Sequence, residues 1–398
     1  MAGPSRTCTG FRRLAAGGSL TVGARTLTAV SDRAPLDRCP GLLRPFLADD
    51  GALVRLRMPG GRVATSVLAD VASLAGRFGA PVVQLTSRGN LQLRALPSPL
   101  PPAFVEAIEA TGLLPSATHE RVRNIVAAPL ARELDPVVEA FDLALRANPR
   151  LAALPGRFLF AFSDASGSVL SERWDVAYQQ LTSSTGVLYA GQLGREVRPA
   201  DAVGAMIGVA RRFVESAPEG AWNVRDLPDD SPVFDGLDPR AVSAAAPLRP
   251  GVAGSDVVCR VPLGMLTAEQ VDVLADVADT VVVTPWRSIV VPGGADRADT
   301  LLRAGLVTEP EGPWARISAC VGAPSCRRTT VTTLDLARSA VEMVASRQLT
   351  VEHDVHVVGC ERRCGTGTSD RVLVAPPTVD EVVTALTAPA EQFHRGEQ

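Results

Sequence analysis

The spacing of apolar residues along this chain changes in a repeated order. Residues 52–61, ALVRLRMPGG, read as an apolar strand that ends on a turn. Helical spacing then takes over: Val63, Val67, Val71, Leu74 and Phe78 fall on one face, and Gly79 closes the helix. A strand pair follows in PVVQLTSRGNLQLRAL, 81–96. The same order returns two hundred residues later. DVVCRVPLG (256–264) reads as a strand, and Thr267 with Gln270 three residues on is a capping-box pattern that opens a helix. DTVVVTPWRSIVVPGG (279–294) completes the second unit, and the hexapeptide VLADVA occurs in both, at 67–72 and at 273–278.

Each unit is β-α-β-β, the kind of element that builds a ferredoxin-like half-domain. The matching order predicts an internally duplicated α+β fold. The chain divides into half-domains at 35–100 and 256–312, each followed by an α/β segment, 115–223 and 313–390. Residues 224–255, rich in Pro, Asp and Gly, read as the linker between them.

Composition excludes several classes. Net charge is −3, which leaves no general nucleic-acid footprint. No stretch approaches the roughly 18 uninterrupted apolar residues of a membrane span, and the first twenty residues lack the apolar core of an export signal. A soluble, cytoplasmic protein is the expectation. All 40 basic residues are Arg, so any anion clamp must use guanidinium, which pairs carboxylates bidentately and is no general base at neutral pH. Seven cysteines without an export signal argue against disulfides and toward metal or redox chemistry.

Four of those cysteines form a constellation. Cys320 and Cys326 lie in SACVGAPSCRRTT, Cys360 and Cys364 in VHVVGCERRCGTG. Between the pairs, Leu334, Ala337, Val341 and Val344 share one side of a predicted helix over 332–348, and VHVV reads as a strand. A helix and a strand can return the chain, so the four thiols can converge. Zinc prefers knuckles with two to four residues between ligands, and the five-residue gap of the first pair is wide for that. A cubane iron–sulfur cluster, held by four thiolates around a larger core, suits the wide Gly- and Pro-containing loop. Cys8, Cys39 and Cys259 read as buried thiols outside the set, Cys259 within a core strand.

These features resemble the sulfite and nitrite reductase superfamily and, within it, the precorrin-3B synthases of aerobic cobalamin biosynthesis. The likeness runs from about Cys39 to about Ala390. TSRGNLQLRAL resembles the family's tetrapyrrole-binding pattern through Thr86, Arg88 and Gln92; RNIV resembles its second arginine motif through Arg123, and LPGRF its Leu-Pro-x-Lys-Phe through Arg157. TPWR (284–287) resembles the precorrin-specific members more than the reductases. The resemblance implies a [4Fe-4S] cluster on Cys320, Cys326, Cys360 and Cys364, with Cys364 as the axial bridge wherever siroheme is bound. Thr86, Arg88, Gln92, Arg123 and Arg157 would bind siroheme or substrate, while Arg94 and Arg121 fall on no family motif.

The chain departs from the reductases where they use paired lysines to protonate an oxyanion. Arg157 replaces the first lysine and Leu159 stands at the second. Leucine delivers no proton and arginine does so poorly. The resemblance to the precorrin-3B synthases implies instead O2-dependent hydroxylation of precorrin-3A at C20 with lactone formation. NADH-derived electrons would arrive through a partner reductase, since no nucleotide-binding glycine fingerprint is visible. The family is also associated with a mononuclear non-haem iron. Its usual ligands are two His and a carboxylate, and the chain has four His, at 119, 353, 356 and 394. His353 and His356 would point to opposite faces of a strand, and both read as structural. Two other readings stay open: a siroheme-dependent sulfite or nitrite reductase, and a non-catalytic four-cysteine protein that binds a metal or a tetrapyrrole.

Overall fold

The computed structural model describes residues 37–367 and 371–389, and among them it forms four sheets. The duplicated α+β architecture is present, with one feature the apolar pattern does not announce. The first half-domain's sheet runs Phe46–Ala48, Gly51–Leu56, Leu91–Leu96, Val83–Leu85 and then Met265–Leu266, a strand of the second half-domain. The second sheet runs Gly251–Ala253, Asp256–Arg260, Ser288–Val291, Thr280–Val283 and then Arg62–Ala64, a strand of the first. Each half lends the other an antiparallel edge strand, with Val63 opposite Val281 and Leu266 opposite Val83.

Equivalent turns, Pro59–Gly61 and Pro262–Gly264, launch the two exchanged strands. Gly61 takes φ 76° and Gly264 φ 71°, in the left-handed region that favours glycine. Thr65 fastens one exchange: its N–H and its hydroxyl donate to the Asp279 and Ala278 carbonyls, both at 2.9 Å. Measured from these turns, the VLADVA copies are three residues out of register. The duplication is real, but the proline–glycine turns mark its equivalent positions and the hexapeptide does not.

The helix Thr65–Phe78 buries Leu68, Val71, Ala72, Leu74 and Ala75, and packs on the helix Ala268–Ala275. Val63 belongs to the exchanged strand and Val67 is half-buried, so the buried stripe is turned by about one residue from the predicted face. The reason is the partner helix, which the first half's own sequence does not encode. The predicted capping box is formed: Thr267 Oγ1 accepts from the Gln270 N–H at 3.3 Å and Gln270 Oε1 from the Thr267 N–H at 3.1 Å. Both half-domains contribute to one apolar core, from Leu42 to Leu306.

A six-stranded sheet follows the first half-domain, in the order Asp238–Pro239, Leu193–Val197, Gly186–Ala190, Val176–Gln180, Phe160–Ser163, Ile125–Ala127. Its aromatic core sets Phe141 edge-on to Phe160 and Phe162 at 4.7 and 5.3 Å. The 224–255 stretch is packed chain: it buries Leu227, Val233 and Leu237 and supplies an edge strand to this sheet and another to the second half-domain. The last sheet is parallel, Ile317–Ala319, Val355–Val358 and Arg371–Val374. The helix Thr333–Ser346 crosses between its first two strands and buries Ala337, Val341 and Val344 as its spacing predicts; Leu334 of the predicted stripe is half-buried, and Ala340 joins it. No helix among the described residues is long and apolar enough to cross a membrane.

Candidate active-site cleft

The strands of the first half-domain, the Arg287 turn of the second and the cysteine loops of the last sheet enclose a cleft of about 1030 Å3. Parallel strands deliver the cysteines. Cys320 follows Ile317–Ala319, with its N–H bonded to the Val357 carbonyl at 2.9 Å, and Cys360 and Cys364 follow Val355–Val358. All four constellation cysteines line the cleft.

Burial raises the Cys364 thiol; nearby Arg362 opposes this, and Cys320, Cys360 and Cys326 add to it, so the four lie within electrostatic reach of one another. The Gly359 N–H points at Cys320 Sγ from 3.4 Å. A side chain at 359 would collide with Thr329, so this close approach needs glycine. Among the described residues no three His, Cys, Asp or Glu side chains converge on a point where one ion could be held. Thiolates around zinc would stand about 3.8 Å apart. The four cysteines share the cleft lining, and one backbone N–H is aimed at a sulfur.

The histidines are engaged elsewhere. Buried His356 donates from Nε2 to the Cys364 carbonyl at 2.9 Å, which leaves Nδ1 to accept from the Ser318 hydroxyl at 2.7 Å. His353 bonds the Ala388 carbonyl and His119 the Asn148 carbonyl, at 2.8 and 3.0 Å. His394 and Cys8 lie outside the described residues.

The cleft is strongly cationic. Nine arginines line it against two aspartates, Asp37 and Asp49. Of the residues taken from family motifs, Thr86, Gln92 and Arg157 line the cleft. Thr86 Oγ1 accepts from the Asn90 N–H at 3.1 Å, and Gln92 bridges Arg55 and Gln84 at 2.9 and 2.6 Å. Arg157 is exposed and lies over the Trp222 ring at 4.9 Å. Arg88 lies just behind the wall, where burial lowers its pKa, with Cys39 and Asp175 opposing and Arg157 and Arg225 reinforcing. Arg123 is placed differently. It is 5% exposed, does not line the cleft and forms a two-pronged pair with Asp142 at 2.7 and 3.1 Å. The helix Asp135–Ala147 brings that carboxylate to it. Arg121 pairs with Asp37 at 2.9 Å, whereas Arg94, on no motif, lines the cleft.

Two arginines passed over in the sequence stand out. Arg55 and Arg57 alternate along the Gly51–Leu56 strand and just past it, and burial lowers them to about 10 and about 9. Arg55 faces the cleft beside Cys39, and its Nε, like Nε and Nη2 of Arg57, has no hydrogen-bond partner. Neither has a carboxylate ion pair among the described residues. Arginines at i and i+2 in an otherwise apolar strand, VRLRM, were the available signal. Buried unpaired cations are costly unless an anion joins them.

Asp175 lies behind the same region. It accepts from the N–H groups of Leu159 and Val224, both at 2.8 Å, and from Asn223 at 3.1 Å, yet burial pushes it up to about 6. The fold therefore favours its protonated form. The stability it contributes is full below its ordinary pKa of 3.8 and is lost as pH rises through about 6. Across that window the difference amounts to ~3 kcal/mol. Denaturant midpoints of the wild type and Asp175→Asn should diverge with pH between about 4 and 7, and a constant difference would contradict the assignment.

Comparison with known proteins came to the same architecture. The nitrite/sulfite reductase ferredoxin-like half domain matches residues 47–110. A precorrin-3B synthase of Sinorhizobium sp is 26% identical over 387 residues, spanning 85% of this chain and 81% of its own. A ferredoxin–nitrite reductase of Synechococcus elongatus is 26% identical over 381 residues, spanning 79% and 74%. The structure of Mycobacterium tuberculosis NirA protein superposes with a TM-score of 0.65 at 20% identity, covering 79% of this chain and 69% of that one, a likeness of fold.

Proposed function

We propose that this chain, built on the architecture of the nitrite and sulfite reductases, is an oxidoreductase of the precorrin-3B synthase type, with a carboxylate-fringed tetrapyrrole in its arginine-lined cleft. One observation carries the reading: nine arginines and all four cysteines of the constellation share the walls of one cleft large enough for a macrocycle. Guanidinium forks pair carboxylates two-pronged, and Arg55, half-buried with a buried and unpartnered Nε, is an anion site in waiting.

In this reading precorrin-3A gains one oxygen atom of O2 at C20, and a side-chain carboxylate of the substrate closes the lactone. The second oxygen leaves as water, taking two electrons and two protons from an NADH-class reductant through a partner protein. Cys320, Cys326, Cys360 and Cys364 would hold a [4Fe-4S] cluster, which supplies one-electron relay when bound. The arginines bind and orient the substrate's carboxylates, and the cleft walls limit water around it.

The ferredoxin–nitrite reductase relative supports a second reading, a nitrite or sulfite reductase in which siroheme would be held in the same cleft, beside Cys364. Leu159 counts against it: 3% exposed and apolar, it delivers no proton, and Arg157 lies on Trp222. Anaerobic purification with iron, sulfide and absorption measurements separates the readings. About four iron and four sulfide per chain without a chlorin band, followed by a precorrin-3A product carrying one atom from labelled O2, is the expected result. A siroheme band with sulfite or nitrite turnover favours the reductase. Zinc without labile sulfide removes both and leaves a non-catalytic binding protein.

Arg55→Met is expected to weaken binding of an anionic porphyrin, followed by fluorescence quenching, by roughly 10- to 100-fold. It should also raise resistance to denaturant, because it replaces a half-buried, half-satisfied cation with an apolar side chain. Unchanged affinity would remove Arg55 from the binding wall.

A further inference from the structure

The four cysteines are not held alike. Cys320 is anchored within its own sheet, and Thr333 donates to its carbonyl at 2.7 Å. Cys364 is anchored by His356, with Arg287 of the second half-domain bonding the next carbonyl, that of Gly365. Cys326 is different: both of its neighbours reach to the first half-domain. The Ser325 carbonyl accepts from Arg94 Nη2 at 3.2 Å, while the Arg327 N–H and Nε engage Asp49 at 2.6 and 3.0 Å. Arg94 itself is locked by Asp50 in a two-pronged pair, both contacts at 3.0 Å, with side-chain exposures of only 10% and 16%. Asp49 and Asp50 form the turn between the strands Phe46–Ala48 and Gly51–Leu56.

We infer that Asp49, Asp50 and Arg94 form a latch, built into the cleft wall of the first half-domain, that positions the Cys326 arm of the cluster site. The inference rests on the cluster reading for its redox consequence but not for its geometry. These are positioning residues, since they act through the residues on either side of Cys326 and none of them is a thiol ligand. The first half-domain would thus set how firmly one of four ligands is held, and the second half would hold the other three. Arg94 is suited to this by its shape: one fork face satisfies Asp50 while Nη2 still reaches a backbone carbonyl. Lysine offers a point charge and no fork.

The test compares holoprotein of the wild type, Arg94→Gln, Arg94→Lys and Asp50→Asn, with Arg146→Gln as a control that breaks a comparable pair away from the cleft, to Asp142. Two readouts are taken: the rate at which a chelator removes iron, and site-resolved alkylation of cysteines by iodoacetamide after iron is stripped. The latch predicts at least a fivefold faster iron loss in Arg94→Gln and Asp50→Asn, with Cys326 gaining reactivity more than Cys320, Cys360 or Cys364. Arg94→Lys should retain the Asp50 contact but still free Cys326, and Arg146→Gln should match the wild type. Equal alkylation of all four cysteines, or equal iron loss in all proteins, overturns the latch. If wild-type protein binds no iron, the cluster reading fails by itself, and the alkylation pattern still decides the latch. If Arg94→Gln does not fold, Arg94→Lys and Asp50→Asn carry the comparison.

Discussion

Cys320→Ala should leave a folded protein that holds almost no iron or acid-labile sulfide and has lost oxidoreductase turnover by a factor of at least ~10³. A four-thiolate core with one ligand removed exposes an iron to solvent, and alanine has no lone pair to replace the sulfur. The fold should survive, because Cys320 is only half-buried and the core beneath it is made of Ile317, Ala319, Ala337, Val341 and Val357. Iron and sulfide analysis alongside circular dichroism checks both halves of the expectation. Cys259→Ala supplies the contrast. Burial pushes that thiol up to about 12, it sits in the apolar core of the half-domains, and it lines no part of the cleft. Its loss should cost about 1 kcal/mol of stability and no iron. Full iron content in Cys320→Ala would remove Cys320 from the ligand set.

The largest stability effect is expected at Gly61. Its φ of 76° already penalises any side chain, and a Cβ there would drive into the Val283 carbonyl, part of the backbone that receives the exchanged strand. Backbone cannot move aside as a side chain can, so Gly61→Ala should cost about 4 kcal/mol or more. The adjacent Gly60 isolates the cause. It also has positive φ, 69°, but its Cβ would meet no backbone, only side-chain carbons of Val138 at 3.2 Å and Ala127 at 3.7 Å. Gly60→Ala should cost about 1–2 kcal/mol, the left-handed penalty alone. Chemical denaturation of the two variants separates steric exclusion from conformational preference. Equal losses would show that the exchange tolerates displacement.

What could be read in the sequence was what short segments decide locally. The capping box at Thr267 needs only four residues, and the helix carrying Ala337, Val341 and Val344 needs only its own period; both form as predicted. Each cysteine pair is a local motif, and a crossover helix returning to a parallel strand brings both pairs to the lining of one cleft. The exchanged strands were not legible. They are three and two residues long, and nothing in RVA or ML names a partner in the other half. Arg55 and Arg57 carry no family motif, and only tertiary packing covers them. Arg123 and Arg94 show the limit of motif reasoning: a neighbouring helix offers Asp142 to the first, while the second, on no motif, lies between the cleft and a cysteine loop. Such assignments depend on carboxylates contributed from elsewhere in the fold, which no local window contains.

The exchange of strands has a consequence for how the chain is made. Val63 finds its partner Val281 only 218 residues later in the chain. At ribosomal rates of roughly 5–20 residues per second, the first half waits about 10–40 s before its own RVA strand can dock. Throughout that interval the Val83–Leu85 strand, whose final neighbour is Met265–Leu266, presents an open hydrogen-bonding edge. The half-domains therefore close together, late and cooperatively, and a nascent chain stalled before residue 265 is a substrate for chaperones rather than a finished domain.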